Sequence, residues 1–147
     1  MLTFKSLIAY IFWWRENELK QIKIWDRAYE NVFDVSKNFN LGQQINIINY
    51  IDLMISMDSA NGHLAANYNI PVLTLWGMTH PFCGFTPFDQ SQENSILIDR
   101  NHFPYIPTSI FGNKIPKGYE NAFRTIDPKI VIEKALEILS TTTPRHS

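Results

Sequence analysis

Short apolar runs alternate along this chain with stretches whose apolar residues recur at helical spacing. Residues 6–14, SLIAYIFWW, read as a first strand. Residues 16–29 follow as a helix, with Leu19, Ile22 and Trp25 as its inner stripe at i, i+3 and i+6. Residues 32–35 predict a short strand, and 41–50 a helix with Leu41, Ile45 and Ile48 on one side. Residues 53–57 are again an apolar run of strand length. Asp58 and Ser59 break it and open a helix over 60–68, which Asn69 stops with Pro71 two residues beyond. Residues 72–76 form the next apolar run, ended by Gly77. That order, β-α-β-α-β-α-β, predicts an α/β fold with a doubly wound parallel sheet.

Beyond residue 78 the pattern weakens. Pro81, Pro87, Pro104, Pro107 and Pro116 punctuate it, and only residues 95–98 read as a strand. A connection this long in a compact domain is usually functional or ordered by a partner. Asp127 and Pro128 then open a last helix, as N-cap and first helical residue, with Ile130, Ile132, Ala135, Leu136 and Leu139 inside. Residues 1–140 are thus expected to be one domain and 141–147 a polar tail.

Composition narrows the classes. The 147 residues are 45% hydrophobic and 14% aromatic, enough for a sizeable core. A net charge of −1 argues against a nucleic-acid partner. The lone Cys83 excludes an intrachain disulfide and fits a reducing compartment, hence a cytoplasmic location. The apolar run 7–14 is too short to span a bilayer. Arg15 and Glu16 follow it instead of a small-residue cleavage site, so it reads as a core strand, not a signal peptide. The many aromatics make peripheral membrane association a further expectation.

The candidate chemistry gathers around Asp58. An ionised carboxylate at the mouth of a sheet can accept from sugar or ribose hydroxyls. It can equally cap a helix. The amides of Ser59 and Ala60 begin the helix, where free N–H groups and the helix dipole attract an anion such as a diphosphate. The Ser59 hydroxyl reads as a further donor, or as a cap. His63, one turn on, could donate to a phosphate oxygen or be structural. Gly77 and Thr79 form the turn after the next strand; Gly77 is expected to permit a tight turn and Thr79 to bond a ligand or serve as an ordinary loop residue. Asp58, His63, His80 and Cys83 match no common metal-ligand spacing, so no metal is expected. No G-x-G-x-x-G follows the first strand, which argues against a nicotinamide enzyme.

Residues 58–66, D-S-A-N-G-H-L-A-A, followed by I-P-V-L-T-L-W-G-M-T-H-P at 70–81, resemble the family nine glycosyltransferases. These are the bacterial ADP-heptose:lipopolysaccharide heptosyltransferases and their relatives. Their pattern is D-[ST]-G-x-x-H-x-A-A, a short helix, P-V, an apolar strand and G-x-T-x-P. The resemblance implies the C-terminal, Rossmann-like donor-binding half of a GT-B glycosyltransferase. The donor implied is a nucleotide-diphosphate sugar such as ADP-heptose, and the acceptor lipopolysaccharide or a related glycan. It makes Asp58, Ser59, Ala60, His63, Gly77 and Thr79 the donor-binding residues and implies no metal and no cofactor. The location implied is the inner face of the bacterial inner membrane. A two-domain protein of that kind needs about twice this length, with domains of roughly 100–200 residues. The acceptor domain, its catalytic Asp and the first donor-domain strand are therefore expected to lie outside this chain, with a separate acceptor-domain chain as a partner.

Three departures mark the resemblance. Ala60 stands where the family has Gly. Trp13 and Trp14 stand where a glycine pair follows a strand. Ser36 to Leu41 replaces G-K-x-S-L, with Gln43 where Glu is common. Indoles cannot copy glycine conformations. The second reading is therefore a truncated, non-catalytic relic or interaction module. A related epimerase half is a third.

Overall fold

The computed structural model describes residues 7–12 and 18–143. Trp13 and Trp14 lie outside these residues, as does the end of the expected tail. The chain forms two compact units, residues 1–50 and 51–147. Both are α/β with parallel strands, the class the apolar pattern predicts.

In the first unit, β1 (Ala9–Ile11) pairs in parallel with β2 (Val32–Asp34), with Tyr10 opposite Phe33. Their rings stack at 5.8 Å. Helix α1 (Leu19–Ala28) connects the strands and buries Ile22. Trp25 is exposed, contrary to the expected inner stripe. Residues three apart on a helix differ by about 60° in direction, so a short strand pair covers Ile22 and leaves its flank open. Asp34 turns the chain: its amide donates to Asp26 Oδ1 at 3.0 Å, and its own carboxylate accepts from the Ser36 amide at 3.1 Å. The second bond caps the short helix α2 (Val35–Asn38), which the apolar pattern did not reveal.

Helix α3 (Leu41–Ile48) starts on a reciprocal capping box. The Gln43 amide donates to Asn40 Oδ1 at 3.0 Å, and the Asn40 amide donates to Gln43 Oε1 at 2.9 Å. A neutral Asn–Gln pair thus performs the Ser–Glu capping geometry. Ile48 is buried as expected, but Leu41, at the first helical position, is exposed.

The second unit is built on β4 (Val72–Trp76), which lies between β3 (Met54–Met57) and β5 (Ser95–Leu97), all parallel. A strand covered on both faces reads as a continuous apolar run. Val72, Leu73, Thr74 and Trp76 are all buried, and Trp76 Nε1 donates to Ser95 Oγ at 3.1 Å. Strand β3 alternates: Met54 and Ser56 are buried, Ile55 and Met57 exposed. Helix α4 (Ala60–Asn67) ends as the sequence predicts. Asn69 takes a left-handed conformation, φ 55°. The amides of Asn69 and Ile70 donate to Ala66 O and Ala65 O at 2.9 and 3.1 Å, a Schellman stop.

Helix α5 (Pro128–Thr141) has Asp127 as N-cap, accepting from the Lys129 amide at 2.9 Å. Its Ala135 and Ile138 pack with Leu73, alongside Val131. Ile130 and Ile132 are exposed, a correction to the expected inner set. Each lies about 100° around the helix from Val131, outside the face that meets the sheet. The helix runs through Thr141, just into the stretch expected as tail.

The proline-punctuated stretch after β4 builds a small core against Leu75 of β4, Ile96 of β5 and Val131 of α5. Ile98, Ile106, Ala122 and Ile126 are buried together, with Phe103 and Tyr119 against them. Gln90 ties an earlier part to β4: its Oε1 accepts from the Val72 amide at 2.7 Å, and its Nε2 donates to Ile70 O at 3.3 Å.

Gly62 sets how closely α4 approaches the sheet. A Cβ there would lie 3.2 Å from Ser56 Oγ and 3.4 Å from Val72 Cγ1. Gly62→Val is expected to cost about 1–3 kcal/mol through overpacking. This would be read as a lower urea midpoint at unchanged slope; an unchanged midpoint would contradict the close approach.

Candidate functional site

The end of β3 and the start of α4 bring Asp58, Ser59, Ala60 and His63 into one local segment. Ser59 is the N-cap residue, in extended conformation, yet its side chain makes no capping bond. The reason is Ser56. The buried Ser56 hydroxyl lies 2.7 Å from the Met57 carbonyl, which can only accept. Its single proton is committed there. At 2.9 Å from Ser56 Oγ, the Ser59 hydroxyl must therefore be the donor. The proton expected for a phosphate is already used, so Ser59 contributes its backbone amide and oxygen lone pairs. Reading the sequence passed over Ser56; its polar side chain in an otherwise apolar run was the available signal.

Asp58 does not cap α4 either. The side chains of Asp58 and His63 are half-buried and make no hydrogen bond or ion pair among the described residues. Helices α2, α3 and α5 carry side-chain caps, whereas α1 and α4 do not. A missing cap of this kind forgoes about 0.5–2 kcal/mol. Its first-turn amides remain available to an acceptor from outside the helix. Ala60 is exposed, so its methyl does not close the segment.

The turn after β4 is more enclosed. Gly77 is buried, and a Cβ there would meet Phe123 Cδ2 at 3.5 Å and Met57 Cε at 3.9 Å. These are ordinary contacts. Gly77 is not among the glycines with positive φ, so the expected need for glycine in a tight turn is not met. Thr79 is buried, and its methyl is 2.8 Å from where a Gly112 Cβ would stand. The Thr108 amide donates to Met78 O at 3.3 Å, holding a distant segment on this turn. Phe123 and Gly112 carry no sequence motif that would have announced these contacts.

His80 is a structural cap. Its Nδ1 accepts from the Phe82 amide at 3.2 Å, opening a 3-10 turn over Pro81–Cys83. Its ring packs against Phe82 at 4.3 Å. Burial, and secondarily the positive charge of Arg100, lower its pKa from the ordinary 6.5. Among the described residues, no three His, Cys, Asp or Glu side chains gather as a metal site. No helix among them is long and apolar enough to cross a membrane.

The model of glycosyltransferase family 9 (heptosyltransferase) matches residues 8–109, which contain the whole segment from Asp58 to Thr79. The crystal structure of the glycosyl transferase family 9 from Veillonella parvula DSM 2008 superposes with a TM-score of 0.58 at 19% identity. The match covers 89% of this chain and 36% of that one, so this chain spans about a third of that protein's length. At this identity the likeness shows the fold. No curated protein matches the chain.

The His80 geometry has a pH consequence. Protonating Nδ1 would oppose the Phe82 amide, and the lowered pKa makes the folded state bind that proton less readily than the unfolded state. The stabilising contribution is therefore complete above 6.5 and falls as pH drops through that value toward the folded pKa. NMR titration is expected to place the His80 midpoint below 6.5. The acid-side fall in urea midpoint is expected to shrink in His80→Gln. A midpoint at or above 6.5 would contradict the assignment.

Proposed function

The chain belongs to glycosyltransferase family 9, and from that premise we propose that it is the donor-binding domain of a glycosyltransferase. The donor is a nucleotide-diphosphate sugar carrying a heptose or hexose, with ADP-heptose as the leading candidate. The acceptor is lipopolysaccharide or a related glycan. The carrying observation is the uncapped start of α4, beside Asp58 and His63 side chains left without partners among the described residues.

In this reading the amides of Ser59, Ala60 and Asn61 take the diphosphate. Asp58 accepts from ribose or sugar hydroxyls, and His63 donates to a phosphate oxygen. The acceptor hydroxyl attacks the anomeric carbon, and the bond from that carbon to the diphosphate oxygen breaks. The departing diphosphate keeps the electron pair, which the helix amides stabilise. The proton passes to a base contributed by an acceptor domain, and no catalytic base is assigned to these residues. Gly77 and Thr79 enter as shaping residues of the neighbouring turn, in keeping with their burial. Residues 1–140 act as the donor domain, working with an acceptor domain or a separate acceptor-domain chain. The work is done in the cytoplasm at the inner face of the inner membrane.

One observation favours a second reading, a non-catalytic module that keeps the fold. Phe123 covers Gly77, and the segment at Gly112 packs on Thr79, so the second loop of the family motif is closed. Nucleotide binding separates the two readings.

Ala60→Asp is the sharp test of the first. A carboxylate in the first turn is favourable to the helix itself, by about 0.3–1 kcal/mol, but repels a diphosphate. Calorimetry with ADP is expected to show binding by the parent chain. It is expected to show at least about a tenfold loss in Ala60→Asp, with undiminished thermal stability. The double substitution Asp58→Ala, His63→Ala is expected to weaken ADP comparably. Unchanged affinity in these variants, or no heat and no thermal shift with ADP in the parent, would favour the second reading.

A further inference from the structure

Within the segment 103–117, Phe103 and Ile106 face the core while Tyr105, Ile110, Phe111 and Ile115 are exposed, on a loop whose shape is held by hydrogen bonds. Ile110 and Phe111 are the two central residues of a turn closed by the Gly112 amide donating to Ser109 O at 3.2 Å. Gly112 has φ 61°, in the left-handed region that favours glycine. The Ser109 hydroxyl donates to Asn113 Oδ1 at 3.1 Å, and the Thr108 hydroxyl donates to the Lys114 carbonyl. The base of the loop is fixed at Met78 and Thr79. Turn centres ordinarily carry Gly, Pro, Asn, Asp or Ser. Here Ile110 is 63% exposed and Phe111 74%, with Tyr105 and Ile115 exposed nearby in the chain.

Charge points to the occupant. Within 103–117 the charged residues are Lys114 and Lys117, with no Asp or Glu; Asp99 and Arg100 precede the loop, and Glu120 follows it with its carboxylate on the Gly118 amide at 2.9 Å. An aromatic and aliphatic crown followed by two lysines has the composition that enters the headgroup region of an anionic bilayer. We infer that this loop seats on the surface of an anionic lipid bilayer. Ile110 and Phe111 enter the acyl boundary, and Lys114 and Lys117 lie at the headgroups. Contact is peripheral, since no helix among the described residues is long and apolar enough to cross a membrane. The inference gives the membrane-face location proposed above a structural means. It stands on the loop alone, because vesicle binding and nucleotide binding are read separately.

Vesicle flotation of the full chain tests it. The chain is expected to float with phosphatidylcholine vesicles containing phosphatidylglycerol, to float poorly with pure phosphatidylcholine, and to be released by salt. Ile110→Ser, Phe111→Ser and, separately, Lys114→Glu, Lys117→Glu are each expected to lower vesicle affinity at least about tenfold. Their circular dichroism and ADP affinity are expected to match the parent. Flotation of either variant like the parent would overturn the inference, as would binding indifferent to phosphatidylglycerol. So would a parent chain that does not float, or a self-association on a sizing column that the Ile110→Ser, Phe111→Ser variant alone abolishes.

Discussion

The close approach of α4 to the β3–β4 pair fixes the candidate site. It turns on Ser56 beneath Gly62, where a side chain on the helix would press against the serine hydroxyl at 3.2 Å. The same hydroxyl donates a hydrogen bond to the Met57 carbonyl and accepts one from the Ser59 hydroxyl. One small buried polar group therefore seats the helix and draws away the side chain that would have capped it. The helix is held by packing rather than by its first-turn hydrogen bonds, which is what leaves those amides for another use.

The chemistry follows from that division of labour. A hydroxyl already donating to a neighbour cannot also donate to a phosphate, so the proposed donor site would rest on backbone amides and the helix dipole. Such amides read charge and position rather than sugar identity. Discrimination would then fall to Asp58 and His63, whose side chains are uncommitted among the described residues. The turn at Gly77 to Thr79 has the opposite character. Phe123 and the Gly112 segment hold it closed, so it shapes its surroundings rather than opening to solvent.

Much of this was legible from local pattern. The apolar runs located every described strand, and Asn69 and Asp127 marked helix boundaries through their own backbone and side-chain geometry. The position of Asp58 and Ser59 after a strand was equally local. What escaped depended on partners distant in sequence or on exposure. Trp25, Leu41, Ile130 and Ile132 fit an apolar stripe by spacing, but no facing element covers them within their units. Gln90 completes the start of β4 from 18 residues away, and no periodicity encodes such a bond. The long stretch after β4 read as a connection with one strand because its prolines break every repeat, yet Ile98, Ile106, Ala122 and Ile126 give it a core. The departure at Gln43 is benign in physical terms, since an Asn–Gln pair completes the same capping box.

An amide-resolved NMR titration with ADP tests the central claim most directly. Direct hydrogen bonding at the uncapped helix end predicts the largest, saturable shifts at the amides of Ser59, Ala60 and Asn61, with the rest of α4 responding weakly. Saturable shifts centred elsewhere, with these three amides unmoved, would contradict it.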